Sequence, residues 1–209
     1  AAAVLLEGIH TVALPLQASA AGGVALSSDS AVVMDMETGQ ILYEKQMDKP
    51  QYPASITKIM TGLLAAESLQ ETDRIAISEK AAAGMDLQSE KLWFVKEETM
   101  SLADAMSATM MMSSNMTSNA LGEAVAGSVE AFVEQMNQRA KALGAKNTHF
   151  TNTHGLPDDA HRTTARDMAL IAAEAIQNKT FMRYFSALDY VMGPTNLQPA
   201  SRPMSSQVW

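Results

Sequence analysis

The stretch Tyr52-Pro53-Ala54-Ser55-Ile56-Thr57-Lys58-Ile59-Met60-Thr61 decides how this chain is read. Proline turns the residue before it away from helical dihedrals, so Lys49-Pro50-Gln51-Tyr52-Pro53 cannot be helical interior and a helix can start only after Pro53. From Ser55 onward Ile56, Ile59, Met60, Leu63 and Leu64 recur at helical spacing, which predicts a buried helix of about four turns ending near Leu69, with Ser55 in its first turn. Ser55 and Lys58 are three apart, a spacing that stacks both side chains on one face and lets the long lysine stem bring its amine to the hydroxyl. A serine hydroxyl is almost wholly protonated at neutral pH and needs such a base within hydrogen-bond reach before it can attack. A helix N-terminus adds unpaired backbone N–H groups able to hold an oxyanion. Taken alone, the pattern also fits a helix-capping serine beside a solvated lysine, so its surroundings decide.

Upstream, Ala31-Val32-Val33-Met34-Asp35-Met36 and Ile41-Leu42-Tyr43-Glu44-Lys45 flank Glu37-Thr38-Gly39-Gln40, two β-rich runs around a glycine-containing turn that predict a hairpin. Residues 21–30 are a linker rich in Gly and Ser. Ala1 to Ala20 is mostly small and apolar and ends in Ala18-Ser19-Ala20, the small-x-small pattern of signal cleavage, so 1–20 is expected to be the remnant of an export signal. Downstream, Asp73 to Leu92 has no assignable pattern. Ser101-Leu102-Ala103-Asp104 has capping-box form and opens a helical run from Ala105 to Met112. Thr117 to Ala126 and Val129 to Leu143 are expected as two further helices, broken at Gly127-Ser128 and stopped by Gly144. Thr164-Ala165-Arg166-Asp167 is a second capping box, followed by the apolar series Met168, Leu170, Ile171, Ala175 and Ile176. From Gly193 onward Pro194, Pro199 and Pro203 predict a loop with no further strand.

Composition narrows the function. A length of 209 residues with 47% hydrophobic content can fill a sizeable core. The net charge of -8 includes no basic cluster dense enough to track a phosphate backbone, which argues against nucleic acid as a partner. With no cysteine there is no thiolate nucleophile, and His10, His149, His154 and His161 have no metal-binding spacing, so no metal or cofactor is expected. After residue 20 no run is apolar enough to span a bilayer. Met110-Met111-Met112 is expected in the core, Trp93 and Phe94 packed under a loop, and His154 in a structural role.

Ser113-Ser114-Asn115, 58 positions beyond Ser55 and just after an apolar helix, supplies a second hydroxyl and a carboxamide that could face Ser55 and Lys58. The order SxxK then SxN is that of penicillin-recognising serine enzymes, whose third element is KTG. The wider words Met34 to Lys45, Tyr52 to Thr61, Ala126 to Val133, Asn147-Thr148-His149-Phe150, His154-Gly155-Leu156 and Thr164 to Leu170 resemble serine-type D-alanyl-D-alanine carboxypeptidases, the low-molecular-mass penicillin-binding proteins. The resemblance runs from about Ala31 to Pro199. It implies an α/β fold of β-lactamase/transpeptidase type, in which an N-terminal hairpin begins an antiparallel sheet beside a helical subdomain.

The resemblance also implies that Ser55 is acylated by a peptidoglycan stem peptide, with Lys58 as base, Ser113 as proton relay and Asn115 on the substrate amide. For that role Lys58 must be partly neutral, below the reference value of roughly 10.4. β-Lactams would acylate the same serine, and the enzyme would act in the periplasm or on the extracytoplasmic face of the membrane. No Lys-Thr-Gly, Lys-Ser-Gly or His-Thr-Gly follows Asn115. Residues 31–209 are therefore expected to be an incomplete catalytic domain lacking its C-terminal strands, with impaired activity alone. Any membrane-surface anchor would belong to the missing C-terminal part. A class A-like β-lactamase and a non-catalytic wall-binding relative are the alternatives.

Overall fold

The two apolar runs pair as expected: β1 (Ala31–Met34) lies antiparallel to β2 (Ile41–Lys45). Asp35 closes their turn by accepting from the backbone N–H and the hydroxyl of Thr38 at 2.8 and 2.6 Å. The computed structural model describes residues 26–85 and 92–206, so the expected signal remnant over 1–20 lies outside the described residues.

Past Pro53 the chain does not enter an α-helix directly. Ala54–Thr57 form a 3₁₀ turn, and α1 (Lys58–Ser68) follows it. Ser55 therefore stands one turn ahead of the α-helix instead of inside it. The tighter pitch carries Ile56 off the buried face, leaving it 48% exposed, while Met60, Leu63 and Leu64 enter the core. The Ser101–Asp104 capping box forms in full and opens α3 (Leu102–Met112). α4 (Asn115–Ala126) begins two residues earlier than the apolar pattern suggests, because Ser114 caps it by accepting from the Thr117 N–H. α5 (Val129–Ala142) is separated from α4 by the left-handed Gly127 and followed by the left-handed Gly144. At α6 (Ala165–Ala175) the cap is one-sided: Thr164 accepts from the Asp167 N–H, but the Asp167 carboxylate turns to the Asn147 N–H and the Thr148 hydroxyl, at 2.7 and 2.8 Å. It staples a loop instead of closing a box.

Several short elements carry no pattern in the sequence. β3 (Arg74–Ala76) pairs with β4 (Thr99–Ser101), α2 (Glu79–Ala82) lies between them in the chain, and α7 (Lys179–Phe185) follows α6. The loop expected after Gly193 is corrected: Arg202–Ser205 form β6, antiparallel to β5 (Asp189–Met192). Among the described residues β6 is paired on one side only, where a strand tolerates the missing donor of Pro203, and burial of Met204 draws it onto the core.

α1 runs through the middle, packed against α3, α4, α6 and α7. One apolar cluster gathers Phe94, Leu102, Met106 and Met116; the other gathers Met60, Leu63, Phe132, Phe150 and Phe181. Met111 is buried, with Met110 and Met112 packed partly against the core. Phe94 is buried beneath Arg202, whose guanidinium lies 4.7 Å from its ring centre. Trp93 does not join it and is 42% exposed, since two neighbours in a loop crossing the core do not both turn inward. Among the described residues no helix is long and apolar enough to cross a membrane.

β6 is fastened by charge as well as by Met204. Arg202 pairs with the fully buried Glu98, which also accepts from the Thr195 hydroxyl at 2.8 Å and the Val95 N–H at 3.1 Å. Glu98→Ala strands the arginine, and breaking such a pair typically costs roughly 3 to 5 kcal/mol. Urea unfolding is expected to register a loss of that order, and a loss under about 1 kcal/mol would mean the pair does not hold β6.

Candidate active site

Because α1 starts right after the 3₁₀ turn, Ser55 and Lys58 keep their three-residue spacing but sit at different depths. Ser55 is exposed and lines a cavity of about 850 Å³ shared with Ser113, Asn115, Gly155, Leu156 and His161. Lys58, the first residue of α1, is 3% exposed. Its Nζ donates to Asn115 Oδ1 at 2.7 Å and to the His154 carbonyl at 2.9 Å, and lies 3.5 Å from Ser55 Oγ. Asn115 reaches it from the first position of α4. Ser113 is the residue that ends α3, held left-handed at φ 57°, and it stands on the cavity wall.

Beneath these residues a buried polar layer fixes the loop that carries His154. The Thr61 hydroxyl donates to the Thr153 carbonyl at 2.6 Å, the Thr153 hydroxyl donates to Asn119 Oδ1 at 2.6 Å, and Asn119 Nδ2 donates to the Ala81 carbonyl at 3.2 Å. Asn152 Oδ1 accepts from the Gly155 and His154 N–H groups at 2.7 and 3.2 Å, which closes the loop on itself. Thr61, Thr153 and Asn119 are buried and their side chains hydrogen-bonded, which makes a rigid mount for the acceptors around Lys58.

His154 meets Lys58 through its backbone carbonyl, and its ring Nδ1 accepts from the Leu156 N–H at 3.1 Å. Sequence reasoning missed four participants: the His154 carbonyl, Gly155, Thr57 and His161. The words His154-Gly155-Leu156 marked the loop, but a backbone acceptor leaves no side-chain signature, and nothing in the spacing relates His161 to Ser55. Among the described residues no group of His, Cys, Asp or Glu could hold a metal ion.

Both histidines are held neutral. The His154 pKa is lowered to about 4, chiefly by burial, then by the repulsion that Lys58 and His161 exert when protonated. His161 is likewise lowered to about 4, chiefly by burial, with Asp158 opposing and His149 and Arg162 assisting. Unfolded histidine titrates near 6.5, so below that pH the unfolded chain binds more protons than the folded one. The stability these neutral rings contribute is complete above about pH 6.5 and is lost as pH falls toward 4, at up to about 1.4 kcal/mol per pH unit per histidine. Urea midpoints are expected to drop between pH 7 and pH 5, and to drop less in His161→Gln. Equal slopes in wild type and variant would refute the assignment to His161.

Comparison with known proteins bears on the family and the fold. A family model described as D-alanyl-D-alanine carboxypeptidase matches residues 16–190. The chain is similar to the D-alanyl-D-alanine carboxypeptidase DacF of Bacillus subtilis, 35% identical over 166 residues that cover 77% of this chain and 42% of that protein. Among solved structures it is similar to the D-alanyl-D-alanine carboxypeptidase DacD from Francisella tularensis, with a TM-score of 0.74 at 36% identity, covering 80% of this chain and 41% of that one. Penicillin binding protein 5 from Haemophilus influenzae gives a TM-score of 0.74 at 33% identity, covering 85% and 54%. The chain spans about two fifths of the length of the curated relatives it matches. The fold is accordingly the penicillin-binding, transpeptidase-like α/β fold that the sequence resembles. With the family match running from ahead of the hairpin into β5, the chain belongs to the D-alanyl-D-alanine carboxypeptidase family.

Proposed function

We propose that the protein is a serine D-alanyl-D-alanine carboxypeptidase that removes the terminal D-alanine of peptidoglycan stem peptides through an acyl-enzyme on Ser55. The single observation that carries this reading is the setting of Lys58 Nζ, which is buried and held by Asn115 Oδ1 and the His154 carbonyl with Ser55 Oγ as its neighbour. A neutral amine has two N–H hydrogens and one lone pair. In that neutral form the amine can donate to these two acceptors and turn its lone pair to the serine hydroxyl, and the 3.5 Å separation is of the kind that tightens when substrate binds.

Ser55 Oγ then attacks the carbonyl between the last two D-alanines while its proton passes to Lys58. Ser113 relays a proton to the departing amine, the carbon–nitrogen bond breaks and D-alanine leaves. Asn115 serves both Lys58 and the substrate amide. Water adds to the acyl-enzyme, the ester breaks and Ser55 regains its proton. A β-lactam presents the same kind of carbonyl but keeps its leaving group tethered, so the acyl-enzyme persists. The location of peptidoglycan and the small, apolar stretch 1–20 support action outside the cytoplasmic membrane, after export.

The test pairs two measurements on purified protein. D-alanine should be released from a peptide ending in D-Ala-D-Ala, and a fluorescent penicillin should modify one serine, found by mass spectrometry in the peptide containing Ser55. Rapid repeated hydrolysis of the penicillin would favour a β-lactamase instead, and no modification at Ser55 would overturn the reading.

A further inference from the structure

Ala54, the residue before Ser55, has φ +50°, a left-handed conformation that is sparsely populated for any residue with a Cβ. Strain of this kind persists only where the surroundings over-determine it. The local sequence does not, since Pro53 offers no side-chain cap to the 3₁₀ turn. What determines it is a directed chain of hydrogen bonds. The Thr151 N–H donates to His161 Nδ1 at 2.9 Å, so the neutral ring carries its hydrogen on Nε2. Nε2 lies 2.8 Å from Thr57 Oγ1 and donates to it, and the single hydroxyl hydrogen of Thr57 goes to the Ala54 carbonyl at 2.8 Å. Each link has one polarity. Burial, which lowers the His161 pKa to about 4, keeps the ring in the neutral form this requires.

We propose that His161, acting through Thr57, holds the Ala54 carbonyl and with it the turn that aims Ser55 Oγ into the cavity, so that both are positioning residues for acylation. Two further features separate this from ordinary core satisfaction. The chain ends on the peptide group that leads into Ser55. The His161 ring, 1% exposed, lies against Phe150 at its back and lines the same cavity as Ser55. A group that lines the cavity and is joined to the strained turn through Thr57 is placed to hold that turn when the cavity fills.

The proposal rests on Ser55 being the nucleophile, and the experiment separates the two claims. The second-order rate of acylation by a fluorescent penicillin is measured per folded molecule, with folding followed by cooperative urea unfolding. Ser55→Ala labelled to the wild-type extent would remove the reading beneath the proposal. With wild-type Ser55, Thr57→Val keeps the shape and loses the hydroxyl, and His161→Phe keeps a ring and loses both nitrogens. Each is expected to slow acylation roughly tenfold or more. Thr57→Ser is expected to restore the rate to within a factor of about three. The double variant should be no slower than the slower single one, since the two residues act in series. Thr57→Cys, close to threonine in volume with a weaker donor, gives a milder version of the same loss. Any folded variant without the hydroxyl that acylates at the wild-type rate overturns the proposal, as does a serine variant as slow as the valine one.

Discussion

Ser55→Ala is expected to abolish acylation by penicillin, and Lys58→Ala to slow it by a factor of roughly 10² to 10⁴, the usual contribution of a positioned general base. The two effects differ because the roles differ. Alanine at 55 removes the atom that forms the bond, so a second hydroxyl on the cavity wall, that of Ser113, is not expected to take its place. Alanine at 58 leaves Ser55 in place and removes the group that takes its proton, so slow attack through water survives. It also leaves Asn115 Oδ1 and the His154 carbonyl short of a donor, and a buried acceptor left unmade typically costs about 1 to 3 kcal/mol. Some loss of stability should therefore accompany the loss of rate. Stopped-flow labelling with unfolding midpoints measured alongside separates them. Lys58→Ala acylating within a factor of about three of wild type would remove lysine from the base role.

What could be read in the sequence followed from side-chain periodicity and from caps. The interior of α1 was legible because Met60, Leu63 and Leu64 share a face, and α3 because Ser101 and Asp104 satisfy each other's backbone. The 3₁₀ turn was not, because nothing about alanine asks for φ +50°; that conformation is held through Thr57 by His161, 104 positions further along the chain. β6 was missed for a related reason. Three prolines argue for a loop, and the strand exists because burial of Met204 and the Arg202–Glu98 pair override that local preference. β3 and β4, at three residues each, are too short for any period to register. The site itself divides the same way. Ser55, Lys58, Ser113 and Asn115 were legible as side chains in order, whereas the acceptor on His154 is a carbonyl, which every residue has.

The tightest constraint on the site is a glycine that the sequence displayed without explaining. Gly155 has φ +91°, and a Cβ there would stand 1.8 Å from the Ala54 carbonyl oxygen, 2.3 Å from its carbon and 2.9 Å from Thr57 Oγ1. The obstacle is backbone on both sides, so no flexible side chain can swing away. Gly155→Ala must therefore separate the two segments by more than an ångström. If the 152–156 loop retreats, the His154 carbonyl leaves Lys58; if the turn retreats, Ser55 leaves its place over Lys58. Either movement dismantles the arrangement around the amine, and a misplacement of about 1 Å can cost roughly 100-fold in rate. Gly144→Ala is the matched control: its φ is +82°, and no atom lies within 4 Å of the added carbon. It bears only the conformational penalty, about 1 to 2 kcal/mol. The expected result is that both variants lose stability, Gly155→Ala by more, and that only Gly155→Ala loses acylation, by roughly 100-fold or more. Equal acylation rates in the two folded variants would mean that the loop does not bear on the turn, and that the close approach of Gly155 to Ala54 has no part in holding Ser55.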